Sequence, residues 1–546
     1  MKRIQPGPAA RRAGAEVHTA IPDLLDRARQ GGIGRRDFIR IAVLLGLPAA
    51  TAFSLAGLRP DPVRAASAAA GRLRVSMKVQ AMDDPARFDW TEKSNIARHI
   101  VEYLAVTDPD NLTRPYLAER WRASEDLRTW SFDLRKGVRW SNGDDFTADD
   151  VVFNFRRWVD PKTGSSNKSL FAGLSASGIE RVDAHTVRLH LKTPELAIPE
   201  NLYNYPAAIV HRRFAEEGGD LSRNPVGTGP YRLVEFKIGE KAMLVKRDPG
   251  AYWGPPVTLD RIEYIDHGDD PLAGLGAISS GQADLMYEVS PDQIEMAWAI
   301  GNVKLYEAVT AQTAVARMRV DKAPFDKPAV RRAIQACIDH QRLLELGYRG
   351  RGAVGEDHHV APIHPEYAKL PPQRQDYDLA KRLLAEAGYS DGVTLAIDCR
   401  SAPTWEPATV QAIAAMCRPA NIRLNINVMP SEQYGDIWNK TPFGFTAWAH
   451  RPLGVMALNL AYRGGAAWNE TRYANPAFDK ALDTASGVLD PAKRRMHIEA
   501  CERILQRDAV IVQPLWRSIF TVASRKLQNF QLHPANYHQF GRVRLG

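Results

Sequence analysis

Cysteine is scarce: Cys337, Cys399, Cys417 and Cys501 are the only four in 546 residues. They form no CxxC pair and no zinc-ribbon spacing, which excludes a disulfide-dense scaffold and a structural zinc module. Buried thiols are the default expectation, with one disulfide left open for an exported chain. Long apolar runs are missing beyond the first seventy residues, so the bulk of the chain offers no membrane span. Internal repeats, low-complexity tracts and long Gly/Ser linkers are missing too, which removes solenoids and flexibly tethered arrays.

Charge of one sign is also short once its distribution is considered. The net charge is +9, but residues 1–68 hold 11 of the 72 basic and 5 of the 63 acidic residues, leaving 61 against 58. That balance gives no broad basic field for nucleic acid, and Arg331-Arg332 and Lys493-Arg494-Arg495 read as solvated helix faces. What is present is 45% hydrophobic and 25% charged residues, the composition of a large soluble protein with room for two or three lobes.

The N-terminal segment Gly34-Arg35-Arg36-Asp37-Phe38-Ile39-Arg40 precedes an uncharged run from Ile41 to Leu58. It resembles a twin-arginine export signal, with Arg35 and Arg36 as the paired cations. The small residues Ala65-Ala66-Ser67-Ala68-Ala69-Ala70 suit a signal peptidase, with cleavage after Ala68 or Ala70. The alternative is a retained membrane anchor, since the run approaches a span of about 20 residues. No cysteine follows it for lipid attachment. The expectation is an export signal over 1–70 and a periplasmic mature chain.

From Arg72 the pattern is mixed α/β. Leu73, Val75 and Met77 alternate with polar residues, as do Val187, Leu189 and Leu191, which predicts half-buried strands. Val330, Ile334 and Ile338 stand four apart, as do Leu379, Leu383 and Ala387, which predicts helices over 328–339 and 377–388 with Gly388 as a stop. Thr147 with Asp150 reads as a capped helix start at Ala148, and Asn142-Gly143 as a turn. Pro225-Val226-Gly227-Thr228-Gly229-Pro230-Tyr231 predicts a rigid bend.

Several segments, taken in order, resemble the extracellular solute-binding proteins of family 5, the oligopeptide, dipeptide and nickel-binding proteins of ABC transporters. They are Glu102-Tyr103-Leu104, Pro115 to Trp121, Trp130 to Trp140, Thr147 to Val151, Gly227 to Tyr231, Val330 to Ile334 with Ile338-Asp339, Ala385 to Tyr389, Tyr473 to Asp479 and Pro514-Leu515-Trp516. The resemblance implies an α/β type II periplasmic-binding-protein fold of two lobes, with an extra N-terminal subdomain in the first. Lobe I would run over 71–315, lobe II over 316–513, and 514–546 would return to lobe I, with hinge strands near Val315 to Met318 and Val512 to Trp516. It also implies a monomer that captures a small solute or peptide between its lobes and hands it to a membrane permease. Neither catalysis nor a cofactor is part of that role.

Phe445 to Met456 is the segment richest in recognition chemistry. The family resemblance places an aspartate-bearing loop here for a peptide's α-ammonium, yet no Asp or Glu occurs from Lys440 to Trp468, and His450-Arg451 stand instead. A guanidinium forms bidentate bonds to carboxylate, so Arg451 is a candidate anion receptor with Trp448 as an apolar wall. The alternative makes Arg451 a salt-bridged framework residue and Trp448 core. Met82 and Asp83, with Asp84, are further candidates after the first strand, where the aspartates would take an amine if they faced Arg451. Tyr434, Trp438 and Tyr462 add aromatic surface, and the alternative for most of these further candidates is packing. The expected solute is a short peptide or a carboxylate-bearing amino-acid conjugate, with an opine, a glycan or chelated nickel as alternatives.

Rival chemistry has little support. Glu356-Asp357-His358-His359 and His364 are metal-binding types, but Gly352, Gly355, Pro362 and Pro365 mark a surface loop of solvated side chains, and no metal site is assigned. Ser165-Ser166-Asn167-Lys168 has the SxxK spacing of a serine hydrolase without its companion motifs. No nucleic-acid partner is expected.

Overall fold

The structure is a computed structural model that describes residues 17–58, 71–270 and 272–546. The alternation that begins at Arg72 becomes strand β1 (Arg72–Ser76), with Leu73 and Val75 fully buried. It lies near the middle of a sheet that runs through both halves of the protein. In order along that sheet are Ile422–Met429, Val393–Arg400, β3 (Phe443–Trp448), β2 (Val303–Met318), β4 (Leu515–Ser524), Leu285–Met286, β1, Arg261–Ile265, Lys241–Lys246 and Tyr231–Lys237.

Strand β2 belongs to both halves. Its first part pairs antiparallel with β4 from Val303↔Ser524 to Thr313↔Trp516, with a break in register between Val309 and Gln312. Its second part pairs with β3 from Thr313↔Trp448 to Met318↔Phe443. Sixteen residues of strand thus carry the chain from one α/β lobe to the other, and β4 brings it back after the Gln513-Pro514 interruption. Two ordered crossings of this kind act as a hinge pair rather than a tether.

A separate four-stranded sheet, in the order Ala118–Ala123, Thr129–Leu134, Thr186–Leu191, Leu174–Asp183, forms an extra unit in the first lobe. Helix Ala148–Val159 begins where its cap predicts, with Thr147 N donating to Asp150 Oδ2 at 2.9 Å. The bend at 225–231 needs its glycines because a Cβ at Gly227 would overlap the Ile100 carbonyl, and one at Gly229 the His99 and Ile100 carbonyls. In the second lobe the predicted helices form over Pro328–Ala336 and Tyr377–Glu386, and Gly388 follows the latter with φ +87°. All four cysteines are buried free thiols. Arg331 and Arg494 are buried, not solvated: Arg331 caps carbonyls of Phe325 and Asp508, and Arg494 turns to Glu366 at 3.5 Å.

The uncharged run after the paired arginines does not form one long helix. Gly46 (φ +91°) and Pro48 split it, so that α1 (Ala20–Arg29) is followed by α2 (Arg35–Leu44) and α3 (Ala49–Leu55). No described helix is long and apolar enough to cross a membrane. The apolar face of α2, including Phe38, Ile41 and Leu44, is instead buried in the main core. Trp121 Nε1 donates to the Leu44 carbonyl at 2.8 Å in the first lobe, and Arg27 pairs with Asp490 in the second. Arg35 and Arg36 stay exposed. The expected cleavage positions Ala68 and Ala70 lie outside the described residues.

Candidate functional site

Strand β3 ends at Trp448 opposite Thr313, where β2 crosses between the lobes, so Ala449-His450-Arg451-Pro452 leaves the sheet at the lobe junction. His450 is 2% exposed and joins the two lobes. Its Nδ1 accepts from the Ala311 backbone N–H at 2.9 Å, which leaves the proton on Nε2 to donate to Asn111 Oδ1 at 2.9 Å. Burial, reinforced by nearby cationic groups, holds its pKa well below the ordinary value, so it is a neutral hydrogen-bonding link.

Arg451 is 3% exposed and, among the described residues, has no carboxylate within salt-bridge distance. One guanidinium nitrogen, Nη1, donates to the carbonyls of Ala449 (3.2 Å) and His450 (2.9 Å). Nε and Nη2 are buried without a partner, and the guanidinium carbon lies 5.1 Å over the Tyr205 ring of the first lobe. Tyr205 itself stacks on Trp468 of the second lobe at 5.3 Å.

A short helix, Ile198–Asn201, brings Glu200 to the same junction from the first lobe. Glu200 is 1% exposed, and neither carboxylate oxygen accepts a hydrogen bond from another residue. Desolvation pushes its pKa up to about 8 against the weaker pull of Arg40 and Arg494. Glu200, Asn204, Asn111, His450 and Arg451 line one small cavity between the lobes. Its space of about 20 Å³ is enough for one ordered water and too small for a larger solute in this arrangement of the lobes.

The other residues singled out from sequence lie elsewhere. Trp448 is core, its Nε1 donating to Glu470 Oε1 at 2.8 Å. Tyr434 is fully buried inside the second lobe, its hydroxyl 2.9 Å from Thr446 Oγ1. Tyr462 is also interior, against His359 Nδ1 at 3.2 Å. Trp438 does reach the other lobe, its Nε1 donating to Asp89 Oδ2 at 3.3 Å. Met82 packs in the core, whereas Asp83 is exposed and Asp84 pairs with Arg157, so neither aspartate is a cavity wall beside Arg451.

The histidine segment is not a surface loop. Asp357, His358, His359 and His364 are all buried because the segment is tied beneath the lobe crossing. Asp357 Oδ1 accepts from Gln513 N at 2.7 Å and faces His340 Nε2 at 3.1 Å, and His364 Nε2 donates to the Arg451 carbonyl at 2.9 Å. Among the described residues no group of three or more His, Cys, Asp or Glu is placed to hold a metal ion. In the SxxK segment Ser165 and Ser166 are buried while Lys168 is exposed.

Glu200, Asn204 and Asn111 were missed by sequence reasoning. A signal existed for Glu200, a lone carboxylate within the otherwise uncharged Leu196-Ala197-Ile198-Pro199-Glu200-Asn201-Leu202-Tyr203.

With this geometry in hand, the chain compares closely with known proteins. Residues 113–468 match the family described as bacterial extracellular solute-binding proteins, family 5 Middle. The periplasmic oligopeptide-binding protein OppA of Haemophilus influenzae is 26% identical over 463 residues, covering 79% of this chain and 85% of that protein. The periplasmic binding protein DppA of Helicobacter pylori, solved with the peptide STSA, superposes with a TM-score of 0.78 at 23% identity, over 87% of this chain and 98% of that one. AgaA from A. tumefaciens R10, solved with agropinic acid, gives 0.80 at 20% identity, over 87% and 99%.

Proposed function

We propose a transport role for this chain, which belongs to the bacterial extracellular solute-binding proteins of family 5: it is the substrate-binding protein of an ABC importer. It captures a carboxylate-bearing solute between its lobes and delivers it, chemically unchanged, to a membrane permease. The observation that carries the solute class is the Arg451 guanidinium, buried at the lobe junction with Nε and Nη2 unpaired. A buried cation of this kind is costly alone and is relieved by a planar anion that accepts both donors. Because Arg451 and its cavity draw on both lobes, a bound anion gains its full contacts only in the closed form, and closure becomes the state the permease reads.

Two solute types fit. Short peptides are supported by the oligopeptide-binding OppA and the peptide complex of DppA. A conjugate of opine type is supported by AgaA with agropinic acid, and by the absence of any acid from Lys440 to Trp468. The protein purified from the periplasm without added ligand should release, on denaturation, one carboxylate-bearing molecule in equimolar amount, identified by mass spectrometry. A neutral sugar or a metal chelate would overturn the role of Arg451, and chemical turnover of the solute would overturn the binding role.

Periplasmic delivery by the twin-arginine route is part of the proposal. The exposed Arg35 and Arg36 at the start of α2, with its apolar face buried, suit a leader that is read on an already folded precursor. Replacing both arginines with lysine should strand the precursor in the cytoplasm, whereas normal export would assign the leader to the general secretory route.

A further inference from the structure

We propose, on the reading of Arg451 as an anion receptor, that the solute also carries a cationic nitrogen, received by Glu200 from the opposite lobe. The two walls of the junction cavity are chemically opposite. From the second lobe come unpaired donors, Nε and Nη2 of Arg451. From the first come unpaired acceptors, both carboxylate oxygens of Glu200 and Oδ1 of Asn204. All three residues are at least 97% buried. Buried polar groups are paired in the great majority of folded proteins, and unpaired groups of opposite kind on the two walls of one cavity are what a ligand could pair.

The donors and acceptors do not bond one another in this arrangement of the lobes, so a solute received between them gains most if it complements both. An ammonium, with three donors and no acceptor, matches the Glu200 and Asn204 side, and a carboxylate matches the Arg451 side. The protein's own cations leave Glu200 open. Arg494 is turned to Glu366 at 3.5 Å, while Arg40, the stronger of the two cationic pulls on Glu200 and itself left with a buried unpaired Nε, lies 3.7 Å from Asp37 in the segment that the proposed export would remove. Glu195, the nearby acid that raises the Glu200 pKa further, has its Oε1 engaged by the Ala197 N–H at 2.9 Å. Desolvation favours a protonated Glu200 without a cation beside it, and an arriving ammonium would restore the carboxylate. The solute class is therefore a zwitterion whose charged ends are held by different lobes, which couples both charges to closure. The acid lies in the first lobe, far in sequence from the His450-Arg451 segment, so the acid-free stretch of the second lobe does not exclude an amine-bearing ligand.

The test compares wild type with Glu200→Gln, both purified from the periplasm. Each is titrated calorimetrically with a pool of dipeptides and with the same pool N-acetylated, and each is denatured to identify any co-purified molecule. Wild type should prefer the free-amine pool by about tenfold or more, and Glu200→Gln should lose that preference while keeping its affinity for the acetylated pool. Glu200→Asp, which keeps the charge, should retain part of the preference and serves if the glutamine variant does not fold. Equal affinity of wild type for both pools, or an undiminished preference in Glu200→Gln, would overturn the inference. If neither pool binds, the co-purified molecule decides: a zwitterion supports the inference, a carboxylate without a cationic nitrogen overturns it alone, and a molecule without an anionic group, or none at all, overturns the Arg451 reading beneath it.

Discussion

At the scale of the residue, Arg451 and His450 are neighbours in sequence with opposite electrostatic fates. His450, from the second lobe, meets both of its hydrogen-bonding needs on the first, at Ala311 and Asn111, and stays neutral. Arg451 cannot shed its charge, so its two unpaired donors remain a desolvation penalty until an anion arrives. Replacing it with alanine should weaken binding of a carboxylate solute by roughly 2 to 5 kcal/mol, measured by calorimetry. The thermal midpoint of the unliganded variant should hold or rise, because an unpaired buried cation has been removed. A lowered midpoint with unchanged affinity would make Arg451 a framework residue.

At the scale of the element, the N-terminal helices α1 and α2 are held by packing rather than by charge. The Arg27–Asp490 pair is partly solvent-exposed, and exposed pairs contribute at most about 1 kcal/mol. Phe38 is fully buried, and truncating a buried phenylalanine to alanine costs about 3 to 5 kcal/mol. In the full chain, Phe38→Ala should therefore release α2, giving faster protease cleavage near Arg35-Arg36 and red-shifted tryptophan emission as Trp121 meets water. Arg27→Ala should do little by either measure. Equal responses from the two variants would mean that the ion pair holds these helices as firmly as the apolar face. Since α1 is tied to the second lobe and α2 to the first, this N-terminal segment also bridges the lobes.

At the scale of the whole molecule, buried titratable groups give stability a pH optimum. Burial holds His99, His359 and His533 down to about 3, against an ordinary 6.5. As pH falls below 6.5, the unfolded chain takes up protons that the native one refuses, so stability is lost progressively toward pH 3. Burial also pushes Glu195 up to about 7, Glu200 to about 8 and Glu502 to about 9, against an ordinary 4.5. Here the native form keeps protons that the unfolded chain releases, so stability is lost as pH rises from 4.5 toward 9. The two trends oppose each other only between these ordinary values, and the thermal midpoint should peak between pH 4.5 and 6.5. Calorimetry at stepped pH checks this, and Glu502→Gln should flatten the alkaline limb. A midpoint constant from pH 6.5 to 9 would contradict the assignment of these carboxyls as neutral.

Local periodicity and spacing in the sequence by themselves determined β1, the Ala148 helix start, the tight bend at Gly227-Thr228-Gly229 and the α/β class, because each depends on neighbours in the chain, while the family followed from the resemblance of many segments taken in order. The same local logic drew attention to His450-Arg451, where a cation stands in an acid-free stretch. It misjudged the 356–364 segment, since glycine and proline announce an irregular backbone but not which side water lies on. Only the tertiary structure, by passing β2 through both lobes, laid that segment under the crossing and buried its histidines. It likewise set Asp83 in solvent, put Tyr434, Trp448 and Tyr462 to core use, and brought Glu200 to the same cavity as Arg451. A junction between lobes is made by residues some 250 positions apart in sequence, and no pattern confined to one stretch of chain carries the distance between them.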